Sequence, residues 1–207
     1  MTSATRPWLS SMVLAALGSL GGAAGAEQVS DTNSPYSVSA RLDFRINIGR
    51  YLYVRVGPTG AGLATVAFAA SATLPNAPTT AVTGNNQPVP WNGAAPSFST
   101  TASNNVLPVQ IGSNAGTVSL QATVLSALSN GVSTLPMNSI AIASDNAGLP
   151  APALPAAGTG SASTVTGTAF GGLVTQQSAN WTFTFTATPA MRAGAYSGQV
   201  GFTASVP

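Results

Sequence analysis

The clearest pattern in the chain is a strict alternation of apolar and polar residues from position 36 to position 48. A period of two is typical of a β-strand with one buried face and one solvated face, and thirteen residues is long for a strand. We therefore predict that the segment lies in an apolar groove, which belongs either to its own sheet or to a neighbouring molecule. Its apolar positions are Tyr36, Val38, Ala40, Leu42, Phe44, Ile46 and Ile48.

Shorter period-two runs follow along the rest of the chain, separated by turns rich in Gly, Pro and Asn. No segment carries an apolar stripe with the 3.6-residue helical period, so the pattern predicts an all-β sandwich. The predicted strands are 36–48, 51–56, 63–69, 106–111, 116–125, 138–142, 163–168, 181–187 and 196–206.

Two tracts rich in Pro, Ala and Gly interrupt this pattern, at 71–105 and at 148–160. Proline cannot donate a hydrogen bond to a strand ladder, so we expect the first tract to form long surface loops or edge segments. We expect the second tract to be an exposed connection. Near the other end, segments 181–187 and 196–206 are predicted to form a C-terminal hairpin, with Tyr196, Val200 and Phe202 on the apolar face of its closing strand.

The first residues have the composition of an export signal. Arg6 supplies a positive charge, residues 12–20 form an apolar run, and the small residues 24–26 form a cleavage site. We therefore expect a signal peptide at 1–26, an N-terminal extension at 27–48 and a domain at 49–207, with Gly49 as the break between the last two. No later run approaches the roughly 20 apolar residues of a membrane span, so we expect a secreted or cell-surface protein whose mature form has no membrane span.

Charge is scarce, with 6 Lys and Arg residues against 4 Asp and Glu residues, and the chain contains neither Cys nor His. Nucleic-acid binding normally needs clustered cations, so we do not expect a nucleic-acid partner. Without thiols or imidazoles the usual zinc and copper sites are excluded, and the spacing of the four acids suggests no paired-carboxylate site. We predict no enzymatic activity, no metal and no cofactor.

Aromatic residues offer a second interpretation. Trp91 lies in the loop sequence Pro-Val-Pro-Trp-Asn-Gly, and Tyr51, Tyr53 and Arg55 alternate on the polar side of a predicted strand. Such residues could bind a sugar or another surface ligand, although an alternating tyrosine face more often covers a sheet or a subunit contact, and Trp91 could equally belong to a loop packed on the core. The alternative to the polymer interpretation below is thus a monomeric secreted or cell-wall-associated β-sandwich that binds glycan.

Several segments together resemble the Cys-free, alpha-type major subunits of bacterial chaperone–usher fimbriae. The resemblance is carried by Tyr-Ser-Val-Ser-Ala-Arg-Leu-Asp-Phe-Arg-Ile-Asn-Ile (36–48), the break at Gly49, and Tyr-Leu-Tyr-Val-Arg-Val-Gly (51–57). Leu-Pro-Met-Asn-Ser-Ile-Ala-Ile (135–142) is similar to a middle strand of those pilins, and the Gly-x-Tyr-x-Gly-x-Val pattern in 193–204 is similar to their closing strand. The tracts 71–105 and 148–160 depart from the compact family pattern.

The resemblance implies an incomplete immunoglobulin-like β-sandwich with long Pro/Gly-rich loops. It also implies that residues 27–48 are a donor-strand extension that fills a groove in the next copy, so that the protein forms a homopolymer. The expected function is that of a structural subunit of a fimbria or surface filament. A periplasmic chaperone and an outer-membrane usher are the further partners that the resemblance implies.

Overall fold

The structure, a computed structural model, describes residues 28–60, 62–75 and 93–207. These residues form an all-β fold, as predicted. The strands are β1 (Leu52–Val56), β2 (Ala67–Thr73), β3 (Ser97–Ser103), β4 (Val106–Ser113), β5 (Val118–Ser129), β6 (Thr134–Leu135), β7 (Ile140–Ser144), β8 (Ser163–Val165), β9 (Thr175–Phe185) and β10 (Ser197–Ser205). Two short 3₁₀ turns lie at Met137–Ser139 and Phe170–Gly172.

The chain divides into two units between Ile48 and Gly49, and each is described by itself. In the first unit, residues 28–48 are exposed and contain no strand. The prediction of a regular strand at 36–48 is therefore wrong for the single chain. A strand is defined by hydrogen bonds to a neighbouring strand, and alternation alone does not supply one.

The second unit, Gly49–Pro207, contains two antiparallel sheets that share a core. Sheet I has the order β1-β4-β9-β7. Sheet II has the order β10-β5-β6, and β8 also pairs with β5. Alternation explains how the sheets meet, because alternate residues are buried in the first six residues of β4, in the first half of β5 and from Ala179 to Phe183 of β9. The principal buried residues are Val109, Ile111, Val118, Leu120, Leu149, Val165 and Trp181.

The predicted C-terminal hairpin is wrong. Strand β9 lies inside sheet I between β4 and β7, whereas β10 pairs with β5 in sheet II. The connection between them therefore crosses from one sheet to the other. Both strands alternate in the same way, and alternation does not reveal which sheet a strand joins.

The two Pro-rich tracts differ from their predictions in different ways. Part of the first tract pairs as a two-stranded ribbon of β2 and β3, while residues 76–92 lie outside the described residues. The second tract is not simply exposed, because Leu149, Pro152 and Leu154 are buried. Leu154 packs with Met137 and Ala122, whereas Leu149 belongs to the main core around Trp181.

One polar atom in this core offers a test of its packing. Thr175 is fully buried, and within the described residues its hydroxyl has no hydrogen-bond partner. Replacing it by the isosteric valine removes an unsatisfied buried hydroxyl, so Thr175→Val should stabilise the protein by about 1 kcal/mol. For a domain of this size that corresponds to a rise of about 2–4 °C in melting temperature. Thr175→Ser keeps the hydroxyl, loses a methyl group and should lower the melting temperature; a valine variant that also melts lower would contradict the assignment.

Candidate functional site

Strands β1 and β10 lie at the same open side of the two sheets. Each has a single ladder partner, β4 for β1 and β5 for β10. The two strands approach each other, but no ladder joins them. Each therefore presents an edge of unpaired backbone groups, which is the feature that lets a sheet accept a further strand.

The apolar faces of these two strands are only partly covered. We call this strip the β1–β10 seam. Its members are Leu52, Val54, Val56, Val200, Phe202, Ala204 and Val206. All except Leu52, which is exposed, are half-buried and pack against the fully buried core. The seam is thus continuous with the core yet open to solvent.

Phe202 is held in the seam by the largest core side chain. Its ring meets Trp181 edge-on, with centroids 5.2 Å apart and an interplanar angle of 62°. Trp181 is fully buried, and its indole N–H donates to the carbonyl of Leu149 at 3.4 Å. The floor of the seam is therefore fixed by packing, so a bound strand would meet a preformed surface.

On the opposite side of the sandwich, the connection that follows β7 packs against the two sheets. There the connection after β7 places Leu149, Pro152 and Leu154 in the core. Thr123 and Thr159 also form a bridge with a 3.0 Å contact between their hydroxyls, which ties this connection to β5. Within the described residues, no strand pairs with the free edge of β1 or β10, although Ala64, Val66 and Phe68, which follow β1, also pack against the core.

The apolar residues predicted for the donor strand are all exposed. Leu42, Phe44, Ile46 and Ile48 expose between 75% and 83% of their surface, and Tyr36 and Val38 are also exposed. Ala40 is exposed as well. Monomeric proteins rarely leave so many large apolar side chains in water along one short segment, and such a surface indicates an interaction site.

The predicted closing-strand residues occupy two different environments. Val200 and Phe202 belong to β10 and line the seam. Tyr196 lies just before β10, and its hydroxyl donates to the carbonyl of Arg192 at 2.9 Å. The structure thus gives Tyr196 a role in fixing the bend that precedes the strand. Trp91, the predicted ligand contact, lies outside the described residues.

A polar network covers the outer face of sheet I. Tyr51 and Tyr53 stack with centroids 6.4 Å apart, and the Gln176 amide donates to the Tyr51 hydroxyl at 2.6 Å. Tyr53 lies directly over Gly112, where any side chain would collide with its ring. Two shallow depressions of about 250 and 220 Å³ lie on this face, lined mainly by polar groups of β4 and β9. The tyrosines thus cover their own sheet and bond within it.

Asp145 is the sole acid in the unit Gly49–Pro207, and it binds the β9 backbone. Its carboxylate accepts from the Asn180 backbone N–H at 2.8 Å and from the Asn180 amide at 2.9 Å. These two hydrogen bonds, the backbone one first, hold the pKa of Asp145 below its ordinary value of 3.8. A lowered pKa in the folded state means that the ionised form favours folding above pH 4, and that this contribution is lost as the pH falls through the folded-state pKa.

Asp145 should therefore contribute to the acid dependence of stability. For the unsubstituted chain we expect the melting temperature to fall as the pH is lowered from 4 toward 2. The Asp145→Asn variant should show a visibly flatter profile in that window, because it has no carboxylate to protonate there. Leu125→Ala, a change of an exposed side chain that leaves every carboxylate in place, serves as the control and should keep the slope of the unsubstituted chain. Equal slopes in Asp145→Asn and the unsubstituted chain would contradict the assignment.

Comparison of the chain with protein-family models, with curated proteins and with solved structures finds no significant match. Among the described residues, no group of three or more acidic, His or Cys side chains could hold a metal ion. The same residues contain no helix that is long and apolar enough to span a bilayer. The seam and the exposed alternating segment are therefore the features of this chain that point to a function.

Sequence patterns identified most of these residues but missed the seam as a unit. Leu52, Val54 and Val56 were recognised as a strand, yet their proximity to β10 depends on the sheet order, which the pattern does not encode. The exposed pair Phe170 and Leu173 was also missed. The available signal was the Gly-Gly between them, which is typical of a tight turn.

Proposed function

We propose that this protein is a structural subunit of an extracellular filament and that it polymerises by strand donation. The observation that carries the proposal is that one chain presents two complementary unsatisfied surfaces. The first is an exposed segment with alternating apolar residues, and the second is a half-open apolar seam between two unpaired strand edges. Insertion of the alternating segment of one copy into the seam of another would bury both apolar surfaces and pair the unpaired strand edge.

The sheet order supports an immunoglobulin-like arrangement with a vacant position. In chain order, β1, β4, β5, β7, β9 and β10 correspond to strands A to F of the constant-type fold. That fold has sheets ABED and CFG, and here sheet I reads A-B-E-D while sheet II pairs C with F. Among the described residues, no strand occupies the G position beside β10. We propose that residues 36–48 of a second copy fill it.

Tyr196 supports the same assignment independently. In immunoglobulin-like domains a tyrosine near the start of strand F bonds through its hydroxyl to the backbone a few residues upstream. Tyr196 comes just before β10, and its hydroxyl donates to Arg192, four residues upstream. The contact therefore matches this immunoglobulin motif both in the position of the tyrosine, near the start of strand F, and in its upstream backbone partner.

The free energy available from insertion is large enough to drive assembly. Burying Leu42, Phe44, Ile46 and Ile48 contributes roughly 1.5–3 kcal/mol each before the cost of ordering the segment. The gross sum is therefore on the order of the net stability of a whole domain. Backbone hydrogen bonds to the edge of β10 would add specificity of register.

The geometry of insertion favours a fibre over a closed dimer. A strand in the G position runs antiparallel to F, so the donor would enter beside β10 in the opposite direction. Each copy then donates its alternating segment at one end and accepts the segment of another copy beside β10. Because the contact joins two different surfaces, it is heterologous and repeats without closing. A periplasmic chaperone to cover the seam before assembly and an outer-membrane usher are partners that this proposal implies.

The proposal is tested by the oligomeric state of the chain that begins at Glu27. We expect a ladder of multiples in detergent gels that collapses to a single band on boiling, since strand-inserted contacts are kinetically stable. A parallel measurement by light scattering should show masses that increase with time. A stable monomer at all concentrations, in the presence and absence of a denaturation and refolding step, would contradict the proposal.

A further inference from the structure

Two large apolar side chains stand out in solvent on one tight turn of the second unit. Phe170 is 81% exposed and Leu173 is 58% exposed. They flank Gly171 and Gly172, between the bridged residues Ala169 and Val174. A pair of exposed apolar residues on one turn is a candidate contact surface, and the seam does not use it.

The turn is held in a specific shape by its surroundings. Phe170 has φ of 50°, which is unusual for a bulky residue, and Gly171 and Gly172 follow with φ of 66° and 91°. The Thr168 and Ala169 N–H groups both donate to the Val174 carbonyl, at 2.7 and 3.2 Å. The turn also leaves no room for a side chain at Gly167, which lies against the Gly172 backbone. A strained aromatic residue that is held so firmly and yet points to solvent suggests a functional constraint.

The turn lies at the end of the unit from which the N-terminal segment departs, which we call the departure end. Here the Asn114 amide donates to the Gly49 carbonyl at 2.8 Å and accepts from the Tyr51 N–H at 2.8 Å. Two residues later, the Gly116 N–H donates to the Leu173 carbonyl at 3.2 Å. The network therefore places Phe170 and Leu173 close to the point where the chain leaves the sandwich.

A second connection gives the same placement. The Gln176 amide donates to the Tyr51 hydroxyl at 2.6 Å, and the Gln176 N–H donates to the Thr168 hydroxyl at 3.1 Å. Tyr51 and the 168–174 turn are thus joined through one residue, Gln176, by its side chain and its backbone N–H. The anchor of the departing segment and the exposed apolar pair belong to one connected structure.

We propose that Phe170 and Leu173 form a second contact between consecutive copies in the filament, separate from strand insertion. This inference rests on the proposed function. If Ile48 is the last inserted residue, only Gly49 and Arg50 separate it from Tyr51. Three residue steps span at most about 11 Å, so the accepting copy must lie directly against the departure end. An exposed apolar pair at that end is then covered by the neighbour.

The surface that receives the pair is the opposite end of the next copy. A donor antiparallel to β10 places its Ile48 beside the start of β10, near Ser197 and the paired Ser129 of β5. This far end exposes Val132, in the turn after β5, and Val106, at the start of β4. Apolar residues therefore lie at both ends, as a repeating head-to-tail contact requires.

The test compares filaments of the unsubstituted chain with those of the double variant Phe170→Ser, Leu173→Ser. Loss of this contact should weaken each junction by about tenfold or more, so that filaments become shorter and dissociate at lower temperature. Leu125→Ser is the matched control. Leu125 is an exposed leucine in the middle of β5, away from both ends, and its replacement should leave filament length and dissociation temperature unchanged.

The chain has no cysteine, so cross-linking of two introduced cysteines gives a second readout without background from native thiols. A chain carrying Phe170→Cys and Val132→Cys should form covalent multimers with a short bismaleimide, and a chain carrying Phe170→Cys and Leu125→Cys should not. If filaments form but the serine double variant matches the unsubstituted chain and neither cysteine pair cross-links, the second contact is wrong and strand donation stands. If the unsubstituted chain forms no filaments and its seam binds no 36–48 peptide, strand donation fails and this inference fails with it.

Discussion

A chain that begins at Glu27 and carries Phe44→Asp is expected to remain a folded monomer under conditions in which the unsubstituted chain polymerises. Phe44 is exposed in the single chain, so the substitution removes no contact that the core of Gly49–Pro207 requires. In the proposed filament it would place an unpaired carboxylate in an apolar seam, which costs several kcal/mol beyond the lost burial. Because each 1.4 kcal/mol is tenfold, the association constant should fall by more than about a thousandfold.

Asn47→Asp is the control for this prediction. It adds the same charge three residues away, but on the polar face of the alternating segment. That face points away from the seam when Phe44 points into it. The control should assemble with a modest change at most. Polymerisation of Phe44→Asp at the unsubstituted rate would show that the apolar face of 36–48 does not enter the junction.

The second large effect concerns the floor of the seam. Trp181→Ala should destabilise the protein by about 3–5 kcal/mol, because it opens a cavity under Phe202 and removes the hydrogen bond to Leu149. That is a large share of the stability of a typical domain, so we expect a much lower urea midpoint and loss of strand acceptance. Urea unfolding followed by far-ultraviolet circular dichroism measures the change.

Leu125→Ala provides the reference, since that leucine is exposed on β5 and its removal should cost little. A Trp181→Ala variant with the same urea midpoint as Leu125→Ala would mean that Trp181 is not part of the packed core. A variant that unfolds early but still accepts a donor strand would mean that the seam does not depend on the core beneath it.

Fold class could be predicted from the sequence because strand alternation is a local property. Strands β1, β4, β5, β7 and β10 each fall within or beside a predicted run. Sheet membership could not be predicted, since the alternation of β9 and β10 is the same whether they pair with each other or with different strands. The burial of Leu149 and Leu154 was missed for a related reason. Pro and Gly mark an irregular backbone, but side chains on an irregular backbone can still point into a core.

The residues of the candidate site also fall into those that a local sequence pattern reveals and those that depend on the sheet order. The exposed apolar set from Tyr36 to Ile48 is recognisable in the sequence because seven alternating apolar residues need a partner surface. The seam that could receive it was not, because it requires two edge strands from distant parts of the sequence to lie side by side. The turn at Phe170 and Leu173 carried only a weak signal, since an exposed apolar pair looks like a short buried run until the sheets are known.

The most direct test of strand donation is hydrogen exchange on the Phe44→Asp chain with and without a peptide of residues 36–48. This chain retains the seam but has a defective donor, so added wild-type peptide should fill it. We expect backbone amides on the free edge of β10 to gain protection, while those of β7, on the opposite side, do not change. A peptide that itself carries Phe44→Asp should give no protection. No gain along β10 with the wild-type peptide at saturating concentration would contradict strand donation.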